Sequence, residues 1–178
     1  MKHLKWVFGM ALVVSSLQLL AQTNKETTVK ILSEKNYTFV ANSAMPMANM
    51  DVSRILSSMP GNQGGGTINL TGSQYDLKVT KDSVVAYLPY YGRSFSAPMN
   101  PSEGGIKFTS KDFSYKESKN KKGAYTIQIS TKDVSRENFR LTLNVTENGY
   151  ANLIASGNNK QPINFNGYLS ETKKKDKD

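Results

Sequence analysis

Tyr90, Tyr91, Arg93 and Phe95 are the densest gathering of chemically capable side chains in this sequence, three rings and one guanidinium within six residues. An arginine among aromatic faces can form cation–π contacts, or offer a fork of donors to a carboxylate, sulfate or phosphate. The pattern suits a binding surface for a ligand that stacks on rings and places an anionic or polar group at Arg93. A second reading stays open. The rings cover one open end of a β-domain's core while Arg93 bonds loop carbonyls, because loops that close small β-domains commonly need such plugs.

Reactive chemistry is otherwise narrow. The chain has no cysteine, and its one histidine is His3, inside a segment that reads as a leader. The remainder cannot build a Ser-His-Asp triad, a Cys-His pair or a usual zinc site. Asp76, Asp82, Glu103, Asp112 and Glu117 are the carboxylates available for glycoside hydrolysis, but they fall mainly at expected turns or on polar strand faces, where a solvated charge is the simpler role. The glycine run at 61–66 lacks the Lys-Ser/Thr of a phosphate-binding loop and reads as linker. Lys119, Lys121 and Lys122 sit at an expected hairpin tip, where they could meet an anionic glycan or simply be solvated. Asp82, Ser83 and Val84 match a short O-glycosylation pattern that is also an ordinary strand start. The expectation is a protein that is not an enzyme and uses no metal and no cofactor.

Residues 1–21 read as a secretory signal: a basic start with Lys2 and Lys5, a largely apolar run over 7–20, and Ala21 as the cleavage position. The run is short for a comfortable membrane span, so no stable span is expected once the signal is removed. Without Lys2 and Lys5 there are 21 basic against 14 acidic residues, a net of +7. That balance fits adhesion to anionic envelope polymers. Nucleic acid is not an expected partner, since the charge is spread along an exported chain.

The elements that must position the loop come next. A capping-box pattern from Thr23 to Glu26 opens a short helix in which Val29 and Leu32 share a face and Ile31 broadens it. A strand over 36–41 turns Tyr37, Phe39 and Ala41 one way. Residues 43–66 read as a long flexible excursion with four methionines, an adaptable contact surface or a mobile loop. The body is a series of short strands at 67–70, 75–80, 83–88, 105–109, 113–117, 125–130, 138–146, 150–155 and 163–169, with Asn148 and Gly149 the strongest hairpin signal. The strand over 83–88 reads as covered on both faces and central in its sheet. Pro89 ends it, and Gly92 supplies backbone freedom in the loop. The fold class is mainly β, an antiparallel meander forming a curled sheet or barrel-like domain, with one short N-terminal helix. Residues 22–170 make a single domain and 171–178 a charged, disordered tail.

Several spaced runs carry a resemblance: 36–42 (Asn-Tyr-Thr-Phe-Val-Ala-Asn), 75–79 (Tyr-Asp-Leu-Lys-Val), 86–93 (Ala-Tyr-Leu-Pro-Tyr-Tyr-Gly-Arg), 104–108 (Gly-Gly-Ile-Lys-Phe), 149–153 (Gly-Tyr-Ala-Asn-Leu) and 165–168 (Phe-Asn-Gly-Tyr). Together they resemble the domain-of-unknown-function family 4251, small exported proteins of the Bacteroidetes. The resemblance implies export and a mostly β domain, and it supplies no activity or catalytic residue. The excursion at 45–66 looks longer than that family's usual connection. The functional expectation is an exported, periplasmic or extracellular, non-enzymatic binding module with an anionic glycan or an envelope protein as partner. The alternative is a structural or assembly protein of the cell envelope acting through protein–protein contacts.

Overall fold

Strict alternation decides which side chains turn inward. In the strands Tyr125–Thr131 and Phe139–Val145 every second residue is buried, as a sheet with one packed face requires. The computed structural model describes residues 24–47, 66–95, 104–135 and 137–172. Within them are a helix α1 (Lys25–Ser33) and strands β1 (Tyr37–Pro46), β2 (Ile68–Asn69), β3 (Asp76–Val79), β4 (Val84–Leu88), β5 (Ile106–Ser110), β6 (Phe113–Lys119), β7 (Tyr125–Thr131), β8 (Phe139–Val145), β9 (Tyr150–Gly157) and β10 (Lys160–Glu171). The signal segment at 1–21, most of the excursion at 43–66 and the tail beyond 172 lie outside the described residues. Among those described, no helix is long and apolar enough to cross a membrane.

All pairings are antiparallel, in the order β5-β4-β3-β1-β10-β9-β8-β7-β6, with β2 beside β1. The expected mainly β, barrel-like domain with one short helix is what forms. Strands β6 to β10 are a simple meander, and β1 joins its last strand to the β3-β4-β5 hairpins. The sheet curls into a nearly closed barrel. Strands β5 and β6 are consecutive in the chain yet lie at opposite ends of the strand order, linked only by Lys111 and Asp112. The Asp133 carboxylate holds that link, accepting from Lys111 N at 2.8 Å, Asp112 N at 3.1 Å and the Ser110 hydroxyl. The Ser110 hydrogen bond, followed by the backbone donors, pulls the Asp133 carboxyl down to about 2. Nearby, Phe108 of β5 stacks on Phe139 of β8 with centroids 4.7 Å apart.

Three sequence expectations change. The strand β4 is neither central nor covered twice: it sits one place from the β5 edge, and its burial alternates, with Tyr87 47% exposed. Its outward Tyr87 stacks on Tyr75 with centroids 5.7 Å apart. The central strand of the order is β10, flanked by β1 and β9. Second, β1 does not stop at Ala41. A register shift between Ala41 and Ser43 absorbs one residue, and such a bulge lets a strand bend and continue, here to Pro46. Third, Asn24 rather than Thr23 caps α1, its side chain accepting from Thr27 N at 2.8 Å. The buried helix face is Thr28, Ile31 and Leu32, while Val29 is exposed. Thr28 satisfies its hydroxyl on Asn24 O at 2.9 Å, so a polar residue fits the packed face.

That helix covers one end of the barrel. Lys25 pairs with Glu147 at the β8–β9 turn, Lys30 lies 3.9 Å from Glu171 at the end of β10, and Lys35 stands over the Tyr115 ring. Beneath it the core is filled by Tyr37, Phe39, Phe165, Leu141 and Leu143. Strand β10 runs one residue into the stretch read as tail, because Glu171 pairs with Tyr37. The fully buried Tyr37 hydroxyl has no well-formed hydrogen bond among the described residues. Its polar neighbour is Tyr115, which donates instead to Glu117 at 3.0 Å. Burial pushes both phenols well up.

Candidate functional site

The aromatic loop leaves β4 at Leu88 and crosses to the tip of the β9–β10 hairpin at the barrel end away from α1. Three contacts pin it there. Gln161 N donates to Arg93 O at 3.1 Å, Phe95 N donates to Asn159 O at 3.0 Å, and Ser94 bridges Lys160 in antiparallel fashion. The loop therefore behaves as a short added strand.

Tyr90 folds inward beneath this strand. Its hydroxyl faces Arg93 O at 2.7 Å and Gln161 O at 3.0 Å, and its ring packs on the core. Burial, opposed in part by the Gln161 hydrogen bond, raises its phenol to about 12. Gly92 matters for closeness rather than for turning, since a Cβ there would come 2.6 Å from the Tyr90 hydroxyl oxygen. Below the loop lies an ion pair: Lys160 Nζ meets Glu137 Oε2 at 2.5 Å, with side chains only 12% and 11% exposed. Lys160 also lies 5.8 Å from the Tyr90 and Phe139 ring centroids, and Glu137 Oε1 has no partner among the described residues.

The four loop residues therefore separate. Tyr90 is a plug. Tyr91 is half-buried beside the core, its phenol raised by burial and by the nearby Tyr75. Arg93 is exposed; its carbonyl rather than its guanidinium ties the loop, and it pairs with no carboxylate among the described residues. Phe95 is 67% exposed. The loop thus turns Tyr90 and Tyr91 toward the core and Arg93 and Phe95 toward solvent.

A family model described as a domain of unknown function (DUF4251) matches residues 20–169. The chain belongs to this family. Within DUF4251 it is similar in fold to a crystal structure of a family protein from Bacteroides eggerthii, with a TM-score of 0.54 and 16% identity over 83% of this chain and 87% of that one. No curated protein matches it. Membership in DUF4251 agrees with the resemblance drawn from the spaced runs.

Two surface features were missed by reading the sequence locally. Tyr87 of β4 is an exposed ring with Lys107 of β5 5.0 Å from its centroid, and it stacks on Tyr75, which precedes β3 and packs partly on the core. On the outside of β7–β10 a groove of about 530 Å³ is lined by Thr126, Asn144, Tyr150, Asn152 and Asn166 among others, with no charged residue in its lining. The available signal was asparagine at outward strand positions, where its β-propensity is poor.

Proposed function

We propose that this protein is an exported, non-enzymatic binding module, and that its end loop presents Arg93 and Phe95, bordered by Tyr91, to another component of the cell envelope. The observation that carries the reading is the contrast within one loop. Backbone hydrogen bonds and the inward Tyr90 fix its shape, yet it holds a large ring 67% exposed beside an exposed guanidinium with no carboxylate partner among the described residues. A preformed ring-and-cation surface loses little entropy on binding. The natural partner carries an anionic group for Arg93 next to an apolar or ring face for Phe95. The buried Glu137 carboxylate is engaged by Lys160, which supports a non-catalytic reading. The test is a photo-crosslinking amino acid placed at position 95 in producing cells, with one at Lys116 as control. A discrete adduct from position 95 that disappears with Arg93→Glu is expected; equal or absent crosslinking at both positions would overturn the proposal.

A second reading is assembly through a sheet edge. It is favoured by β5 and β6, each of which pairs on one side only among the described residues. Concentration-dependent dimers in sedimentation, lost when charges are placed on β5, would support it over the loop.

A further inference from the structure

Strand pairing brings together residues that the sequence keeps far apart. Thr126 pairs with Asn144, Asn144 with Asn152, Asn152 with Asn166, and Asn166 with Ser43, so five adjacent strands from β7 to β1 place an uncharged hydroxyl or amide side by side. All five are exposed or half-buried. Neighbouring strands lie about 4.8 Å apart, so the row forms a polar track across the sheet. Such a row is not what solubility alone would produce. In this chain 21% of residues are charged, and outward positions on other rows carry Lys78, Lys107, Lys116 and Arg140.

The amides are oriented by their own hydrogen bonds. Thr126 donates to Asn144 Oδ1 at 3.0 Å, and Asn152 Nδ2 donates to Asn166 Oδ1 at 2.9 Å and to Asn164 Oδ1 at 2.5 Å. These bonds leave the Asn144 and Asn166 amide nitrogens and the Asn152 carbonyl oxygen without protein partners among the described residues. Donor, acceptor and donor then alternate across β8, β9 and β10. Two residue pairs further along, on the same face, Tyr150 of β9 pairs with Tyr168 of β10, with Tyr150 55% exposed. The groove at this row has a volume of about 530 Å³ and no charged side chain in its lining.

We propose that this track binds a neutral, hydroxyl-rich oligosaccharide lying across strands β7 to β1. Sugar hydroxyls both donate and accept, so they match alternating amide groups. The apolar face of a pyranose ring packs on Tyr150, the exposed ring of the groove's lining, as other flat apolar surfaces do on aromatic rings. No charged side chain lines the groove, and the nearest cation shown, Lys119, is engaged over the Tyr125 ring at 4.8 Å, so the track itself favours a neutral chain. The inference goes beyond the end-loop reading and stands independently of it, on a different surface with different chemistry.

The experiment applies the full exported chain to an array of uncharged glucans, mannans, xylans and galactans, with polyuronates as anionic controls, and then titrates any retained oligosaccharide. Saturable binding of at least one uncharged chain is expected. Asn152→Leu and Tyr150→Ala should each weaken it tenfold or more, while Arg93→Ala and Phe95→Ala leave it unchanged. Thermal unfolding identifies a row variant that fails to fold, and the exposed Tyr150→Ala then carries the test. No retained neutral glycan, stronger retention of polyuronates, or binding untouched by folded row variants would each overturn the proposal.

Discussion

Tyr90→Phe removes one oxygen atom and tests whether the end loop divides into a structural and a presented half. The hydroxyl serves the carbonyls of Arg93 and Gln161 at 2.7 and 3.0 Å. Arg93 O keeps the Gln161 N–H, whereas Gln161 O loses a part-buried donor. A hydrogen bond of this kind contributes about 1 kcal/mol, and an unsatisfied acceptor adds up to about 1 more. For a domain of this size, about 1 kcal/mol corresponds to roughly 2–4 °C in Tm, so Tyr90→Phe should lower Tm by about 3–6 °C. Tyr90→Ala also removes a half-buried ring. Taking roughly half of the 3–5 kcal/mol of a fully buried aromatic, with the hydroxyl added, gives about 3 kcal/mol and about 6–12 °C.

Arg93→Ala and Phe95→Ala remove exposed groups and should stay within about 0.5 kcal/mol of the parent, about 2 °C or less. Scanning calorimetry on the four variants decides the matter. If Arg93→Ala lost as much as Tyr90→Phe, the guanidinium would be a structural tie and the surface proposal would lose its cation. If Tyr90→Ala lost nothing, the plug itself would be wrong.

Three other perturbations probe the frame. Asp133 is held ionised when folded, so its stabilising effect is present above the ordinary carboxylate range and lost as pH falls from about 4 toward about 2; Asp133→Asn should lower Tm at pH 7 and show a shallower acid loss, and parallel acid curves would refute the seam role. Lys160→Met leaves Glu137 buried without its cation and should cost about 3–5 kcal/mol, while adding Glu137→Leu restores most of it; denaturant melts showing a loss under about 1 kcal/mol in the single variant would contradict this. Tyr37→Phe deletes a buried hydroxyl that lacks a well-formed partner and should raise stability by about 1 kcal/mol; a clear fall in the denaturation midpoint would mean that the hydroxyl is bonded in solution.

Much of the frame was legible because alternation is a local signal. Leu141, Leu143 and Val145 turn inward as the pattern of β8 requires, and Asn148 with Gly149 forms the β8–β9 turn, Gly149 taking a φ of 79°. What alternation cannot give is lateral order. The apolar content of β4 suggested a central strand because Val85 and Tyr87 are also apolar, but Tyr87 is an exposed ring stacked on Tyr75, a contact fixed by a register no local pattern encodes. Tyr90 and Arg93 were visible as a cluster, yet their separation into plug and presented cation depends on Gln161, 71 residues from Tyr90. The amide row was hidden for the same reason, since Ser43 and Asn166 meet only through β1–β10 pairing.

The two proposed surfaces share strands β9 and β10 but not the same stretch of them. Gly157, at the hairpin tip beneath the loop, is five residues from Asn152 of the row, about 17 Å along an extended strand at 3.4 Å per residue. A paired strand between two solvent-facing sites gives no packed side chain that must rearrange when one is altered, and mutational effects at such separations usually add within about 0.5 kcal/mol. Glycan affinity should therefore fall by the same factor for Asn152→Leu whether or not Arg93→Ala is present, and the crosslink at position 95 should persist in Asn152→Leu. Isothermal titration of the two single variants and their combination measures the coupling. A coupling above about 1 kcal/mol would mean that one ligand spans both surfaces, and the module would then hold a single extended chain rather than two separate partners.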